Sequence, residues 1–320
     1  MNFVSINRIW MIILVYLIGL KVCCEQLLYK YVFHTSSRPT ELHVKKCDGL
    51  TAIVTGGSSG IGLAVVKKLH KLGYTVISCA STHNPFLHCE VKQIELDLSS
   101  LPSVKKFAHL IMQQNTQIDL LVNCAGVMFV PETNSKQGIE YHMATNYLGH
   151  FLLTLLLLPA LKKSKQCCVI NVTSSTSSII NSYDFKSWFR PPLGSYIPES
   201  QYARSKLALI IFTYKLQKHL KLSAPSVQVL AYDPGTVKTQ LYKHSGKLTT
   251  MCMQLLGCIL LRVSSDVAND ITEVLHTTLP NGICMKGWKR KYEKTKQFTY
   301  LNEVQDQLWN QSILEVEGFL

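Results

Sequence analysis

Thr55-Gly56-Gly57-Ser58-Ser59-Gly60-Ile61-Gly62 follows the apolar run LTAIVT (50–55) without a break and opens an amphipathic stretch over 60–72. A turn this tight needs residues free to take positive φ. The helix it opens presents unpaired backbone N–H groups to an anion such as a pyrophosphate. The spacing Gly56-x-x-x-Gly60-x-Gly62 is not the G-x-G-x-x-G form, so the turn must be weighed with its surroundings.

Those surroundings alternate. Short apolar runs at 50–55, 74–79, 91–96, 118–123, 167–172 and 227–232 read as strands, and their near-continuous hydrophobicity suits strands buried on both faces. Helical patterns lie between and after them, around 60–72, 102–114, 138–161, 202–221 and 266–279. This order predicts an α/β domain with a doubly wound, mainly parallel sheet and ligands at the carboxyl ends of its strands. One connection is short. Only ASTHNPFLHCE (80–90) joins the second strand to the third, too little for an ordinary crossover helix. The second strand ends in Cys79-Ala80-Ser81-Thr82, with neither the acid that favours NAD nor an arginine for the NADP phosphate. Small hydroxylated residues tolerate both, with a slight lean to NADP. Asp97, at the end of the third strand, is placed to accept from an adenine amino group.

Tyr202-Ala203-Arg204-Ser205-Lys206 puts a phenol and an ammonium four apart, on one helix face. A nearby ammonium lowers a phenol's pKa from about 10 and brings it into range for acid–base work. Upstream, Asn171-Val172-Thr173-Ser174-Ser175 leaves a strand with hydroxyls that could hold a substrate oxygen. Asn123-Cys124-Ala125-Gly126 ends another strand, and Asn146 sits inside an apolar helical stretch, where an amide requires a partner. Downstream, Asp233-Pro234-Gly235-Thr236-Val237-Lys238-Thr239 closes the sixth strand with a turn that could cover a nicotinamide.

Taken in this order, the motifs TGGSSGIG, NCAG, the helix asparagine, the strand-end serine, YARSK and DPGTV resemble the short-chain dehydrogenase/reductase family from about Gly49 to the C-terminus. MATNYLGHFLLTLLLLPAL and QLWNQS look like its retinol-dehydrogenase-like branch. The resemblance implies one Rossmann domain over 48–320, an oxidoreductase using NADP(H) or NAD(H), and no metal. It implies that Tyr202 exchanges a proton with the carbinol oxygen and that Lys206 tunes it and holds the ribose hydroxyls. Ser174, aligned in preference to Ser175, polarises the substrate oxygen, and Asn146 positions a water leading from Lys206 to solvent. The cofactor is expected on Gly56, Ser58, Ser59, Gly60, Ile61, Gly62, Asp97, Asn123, Ala125, Gly126, Tyr202, Lys206, Pro234, Gly235, Val237 and Thr239. Cys124 departs from the family's second asparagine, and the short 80–90 link removes most of a family helix. Family members often pair through helices at 138–161 and 202–221, so a homodimer is an expectation.

The N-terminus speaks of a membrane. IWMIILVYLIGL (9–20) lies between Arg8 and Lys21, and the apolar character resumes over 27–33. Residues 1–47 read as an uncleaved anchor or interfacial helix with a polar linker, the alternatives being a cleaved signal, hence secretion, or a soluble packed helix. The anchor reading places the protein on the endoplasmic reticulum or another intracellular membrane. With 47% apolar and 17% charged residues the chain is not disordered. Its net charge of +13 suits an anionic membrane surface, and no recognition motif supports nucleic acid. Eleven cysteines without a C-x-x-C pair form neither a zinc knuckle nor a disulfide frame. The apolar run MCMQLLGCILL (251–261) is expected as a lid, and the aromatic, proline-bearing insert 181–201 as part of the same rim. Both suit a lipophilic alcohol or carbonyl substrate. A non-catalytic dinucleotide-binding protein is the competing reading.

Overall fold

In the computed structural model of the chain, the described residues are 3–33, 47–85, 87, 90–114, 117–245, 257, 260–275, 284–289 and 291–320; the side chains of 3–8 and 33 are not described. Strands β1 (Thr51–Thr55), β2 (Thr75–Ala80), β3 (Lys92–Glu95), β4 (Leu120–Asn123), β5 (Cys167–Val172), β6 (Val227–Asp233), β7 (Cys284–Lys286) and β8 (Lys291–Glu293) form one sheet in the order 3-2-1-4-5-6-7-8. All pairs are parallel except β7 with β8. The order reverses between β1 and β4, which opens a crevice at their carboxyl ends.

Helices cover both faces. The helices are α1 (Phe3–Leu28), α2 (Gly60–Lys71), α3 (Leu101–Gln114), α4 (Gly149–Leu161), α5 (Phe185–Phe189), α6 (Pro198–Ser223), α7 (Ser264–Val274) and α8 (Asn302–Val316). Ile53, Leu121, Val169 and Val229 pack toward α3, α4 and α6, while Ala52, Val54, Val122, Ile170 and Leu230 pack toward α2 and α7. This two-sided burial is why the strands read as unbroken apolar runs.

Several expectations change. Helix α6 starts at Pro198, since proline at the first turn loses no helical hydrogen bond. The 80–90 link carries no helix among its described residues. Instead Asn84 clamps it, donating from Nδ2 to the Ser58 carbonyl at 2.8 Å and exchanging hydrogen bonds with the Gln93 amide. Past β6, β7 continues the parallel sheet and β8, antiparallel to β7, is the edge. The insert 181–201 is not a rim, because Phe185, Trp188 and Phe189 are buried in the core. Helix α8, absent from the sequence reading, lays Trp309 against Phe151 of α4 and Phe212 of α6 at 5.2 and 6.2 Å, and Tyr147 bonds Ser312 at 2.7 Å. Helix α8 thus covers part of α4 and α6 within the chain.

The N-terminal stretch is one long helix, extended by a π-helical turn Tyr29–Phe33. The window Ile9–Val32 (mean hydropathy 2.0) is long and apolar enough to cross a membrane and is only 17% buried, whereas the less apolar Met143–Leu161 (mean hydropathy 1.4), which passes the same test, is 72% buried as a core helix.

Candidate active site

A cleft of about 790 Å³ runs across the carboxyl ends of β1, β4, β5 and β6. Its first end is the glycine turn. Gly56 (φ +70°) and Gly60 (φ +53°) bend the chain onto the N-terminus of α2, which Ser59 precedes in extended conformation. At Gly56 a Cβ would stand 2.9 Å from Ala125 Cα, and at Gly62 it would lie 2.2 Å from the Gly56 carbonyl oxygen. Only glycine lets strand, turn and helix approach so closely. Ser58, Ser59, Ile61, Ser81 and Thr82 border the same end, and Ala125 and Gly126 form its floor. Asp97 lines the cleft too; Ser99 donates to its Oδ1 from backbone and hydroxyl, leaving Oδ2 acceptor capacity.

Tyr202, Lys206 and Ser174 converge at the middle of the cleft, below Pro234, Gly235, Val237 and Thr239. Tyr202 and Lys206 lie one turn apart on α6, with Nζ 5.9 Å from the phenol ring centre and donating to the Val172 carbonyl at 2.9 Å. Burial pushes the Lys206 ammonium down to about 8, opposed by nearby Cys124 and Asp233. The phenol moves the opposite way from the sequence expectation. Burial raises the Tyr202 pKa, Tyr242 and Asp233 add to this, and only a hydrogen bond with Ser174 lowers it. Lys206 is turned to Val172, so its charge does not offset the loss of water around the phenol.

The structure also separates the two serines. Ser175 donates to Asp233 Oδ2 and accepts from Lys286 Nζ at 2.8 Å, so its hydroxyl is engaged. Ser174 accepts from the Thr176 hydroxyl and backbone N–H at 3.0 and 3.3 Å, which leaves its own hydrogen for the cleft.

Asn123 and Asn146 stand behind the cleft rather than in it. Asn123 pairs in register with Asn171 on the next strand and donates to it at 2.8 Å; Asn171 donates to Thr213 of α6 at 2.9 Å. A second Asn123 donor bond reaches Thr154 of α4 at 3.1 Å. This buried ladder sets α4 and α6 against the sheet, and through it Asn123 braces the site. Asn146 lies in a π-helical segment, Met143–Leu148, that leads into α4. Its amide exchanges hydrogen bonds with the Val127 backbone and donates to Ser205 at 2.9 Å. Its committed side chain fixes the 126–127 floor.

His150 was not singled out by the sequence. Its Nδ1 donates to the Asn146 carbonyl at 2.8 Å, because a carbonyl can only accept, so Nε2 accepts from the Thr55 hydroxyl at 2.9 Å. The Thr55 oxygen in turn accepts the Cys124 and Ala125 N–H groups at 2.8 and 3.0 Å. Burial pushes His150 down to about 3, so this neutral link ties the glycine-turn strand to the π-segment. The asparagine–histidine spacing (i, i+4) was the available signal. Phe129 gave none. It holds φ +55° and meets Tyr202 edge-on at 5.6 Å, a strained backbone beside the phenol. The substrate end is lined by Met128, Tyr141, Thr145 and Tyr242, by Ile18, Gly19 and Val22 of α1, and by Gly257, Leu260 and Leu261. The rest of the expected lid, 251–256 with 258–259, lies outside the described residues.

A family model described as short chain dehydrogenase matches residues 50–184. Polyprenol dehydrogenase of Homo sapiens is 35% identical over 289 residues, covering 84% of this chain and 85% of that protein. The chain belongs to the short-chain dehydrogenase family. The Danio rerio polyprenol dehydrogenase is 33% identical over 93% of this chain and 94% of its own length. Retinol dehydrogenase 13 of Mus musculus is 36% identical over 62% of this chain and 61% of its own. Among solved structures, an uncharacterised protein from Mycobacterium Paratuberculosis superposes with a TM-score of 0.67 at 27% identity, covering 86% of this chain and 96% of that one. As a short-chain dehydrogenase the chain is an NAD(P)-dependent oxidoreductase. The cleft fits that dinucleotide: the glycine turn leaves a cradle that a Cβ would fill, over helix N–H donors, with Asp97 acceptor capacity beyond it.

Proposed function

We propose that this chain is a membrane-associated oxidoreductase that interconverts a lipophilic alcohol with its aldehyde or ketone, of polyisoprenoid, retinoid or steroid type. The observation that carries it is the convergence of Tyr202, Ser174 and Lys206 in a cleft whose far end is apolar and walled by an N-terminal helix of membrane character. Relatives named for polyprenol and retinol support the substrate class, with polyisoprenoids first among the three. The fine sequence features resemble the dehydrogenase/reductase member encoded on the X chromosome. The exposed apolar face of α1 and the net charge of +13 support an anionic membrane surface, that of the endoplasmic reticulum or another intracellular membrane.

Gly56, Gly60 and Gly62 with the α2 N-terminus hold the pyrophosphate, and Ser58, Ser59, Ser81 and Thr82 receive the adenosine ribose. Among the described residues no arginine borders that end, which leaves room for either dinucleotide. Bound in this way, the nicotinamide supplies or accepts hydride. Tyr202, protonated at neutral pH because burial disfavours its anion, gives a proton to the carbonyl oxygen in reduction. Ser174 donates to the same oxygen and stabilises charge developing on it. Lys206 keeps N–H groups beyond its Val172 bond for the ribose hydroxyls. Asn146, Asn123 and His150 hold these groups in place.

Fluorescence titration of the full chain in detergent with NADPH and NADH, followed by a lipid-alcohol panel, tests this. Tyr202→Phe is expected to lower kcat at least ~10³-fold with cofactor Kd changed less than about threefold. Comparable turnover in that variant, or no turnover of any lipid alcohol by the parent chain, overturns the reading.

A further inference from the structure

Helix α1 has two faces. Val15, Val22 and Gln26 are buried against the catalytic domain, with Met11 and Ile18 partly buried between them, the three-and-four spacing of a helix docked on a surface. Ile9, Trp10, Ile13, Leu17 and Leu20 are exposed on the other side. The inner face does not merely rest on the domain. Ile18 and Val22 border both the catalytic cleft and a second cavity of about 410 Å³, and Ser174 lines both as well. The helix therefore lies across one trough and divides it at the catalytic serine.

The polar residues of α1 point to the same placement. Lys21, Glu25 and Gln26 interrupt an apolar window, and charged groups at the centre of a bilayer cost at least about 2.5 kcal/mol each. Here the domain meets two of them, Glu25 and Gln26. Glu25 pairs with Lys289 at 3.0 Å and accepts from Trp288 Nε1 at 3.4 Å. Gln26 Oε1 accepts from the Thr236 hydroxyl, and Cys23 Sγ lies 3.2 Å from the same oxygen. At Gly235 (φ +77°) a Cβ would stand 1.9 Å from Gln26 Nε2. The turn after β6, on the dinucleotide side of the cleft, is shaped to receive the helix.

We propose that α1 forms one wall of the substrate site as well as the membrane contact. Its outer face lies in the lipid, and the apolar tail of the substrate runs along its inner face to Ser174 and Tyr202. Gly19 marks the track: it lines the cleft, and a Cβ there would meet nothing within 4 Å. The chemical nature of the tail rests on the lipid-alcohol reading above; the placement of the helix does not.

The test uses the full chain in phospholipid vesicles. Thr236→Cys, oxidised with copper–phenanthroline, is expected to form an intramolecular disulfide with Cys23, lost in the Cys23→Ser, Thr236→Cys double variant and read by peptide mass. Gly19→Phe is expected to raise Kd for a fluorescent long-chain polyisoprenoid alcohol, and KM where that alcohol turns over, about tenfold, and more than for a short alcohol with the same reacting end. Absence of the Cys23 crosslink overturns the proposal whatever the kinetics. A crosslink with Kd unchanged by Gly19→Phe also overturns it, since the helix would then dock without touching the ligand. If the parent chain oxidises no lipid alcohol, the substrate class above fails, while crosslink and Kd still decide the wall.

Discussion

The two ends of the cleft are made of different materials. The dinucleotide end is backbone: one contiguous turn, Thr55 to Gly62, with Ala125 and Gly126 beneath it, its shape dictated by where a Cβ cannot go. The substrate end is side chain, gathered from α1, from Met128 and Phe129, from Tyr141 and Thr145, and from Tyr242, Leu260 and Leu261. A backbone cradle needs specific residues in a row, whereas an apolar wall needs only volume and greasiness from any segment that arrives. Between the ends stand Tyr202, Ser174 and Lys206, with Lys206 bonded to the Val172 carbonyl and Ser174 to Thr176.

The sharpest break of this division is at the two serines. Ser174→Ala is expected to lower kcat about 10²- to 10³-fold, near the loss of one oxyanion-hole donor, with NADPH affinity nearly unchanged. Gly62→Val attacks the other end. Its Cβ would collide with the Gly56 carbonyl, so NADPH affinity should fall at least ~100-fold by fluorescence titration while the chain loses about 2–4 kcal/mol in urea unfolding.

Lys206 sharpens the middle. Its folded value near 8 lies below the ordinary lysine value, so between pH 8 and about 10 the unfolded chain binds more protons than the folded one. This residue's contribution to stability therefore rises with pH over that window, while turnover that needs its ammonium falls through about pH 8. Lys206→Met should remove that rise and gain about 2 kcal/mol at pH 7 in urea titration, with activity lost.

Smaller effects separate packing from chemistry. Phe129→Ala removes the ring set edge-on to Tyr202 and is expected to lower kcat/KM about tenfold for a lipid alcohol, and less for a short one. Ser175→Ala leaves Lys286 and Asp233 3.4 Å apart and should change kcat by less than about threefold. Equal losses at Ser174 and Ser175 would show that the two hydroxyls share the work.

Much of the fold was legible because it is local. Six strands and the helices between them follow from apolar periodicity, and Gly56, Gly60 and Gly62 announce the turn by composition. Asn123 was legible as a polar residue at a strand end but not as a brace, since its partners Asn171 and Thr154 come from other elements. Helix α8 was missed because its apolar residues do not fall on one strong stripe; Trp309 finds Phe151 and Phe212 only after α4 and α6 are placed. The insert 181–201 misled for a related reason. Aromatics and prolines describe a rim or a core equally well, and only neighbours choose between them.

The sequence by itself determined the doubly wound sheet, the glycine cradle and the tyrosine–lysine pair, because each depends on residues within a few turns of one another. Tertiary structure alone decided which serine hydroxyl faces the phenol, which way the phenol titrates, and what closes the substrate end. Those depend on burial and on charges brought together from Cys23 to Lys289, and spacing along a chain carries no information about the water that folding removes.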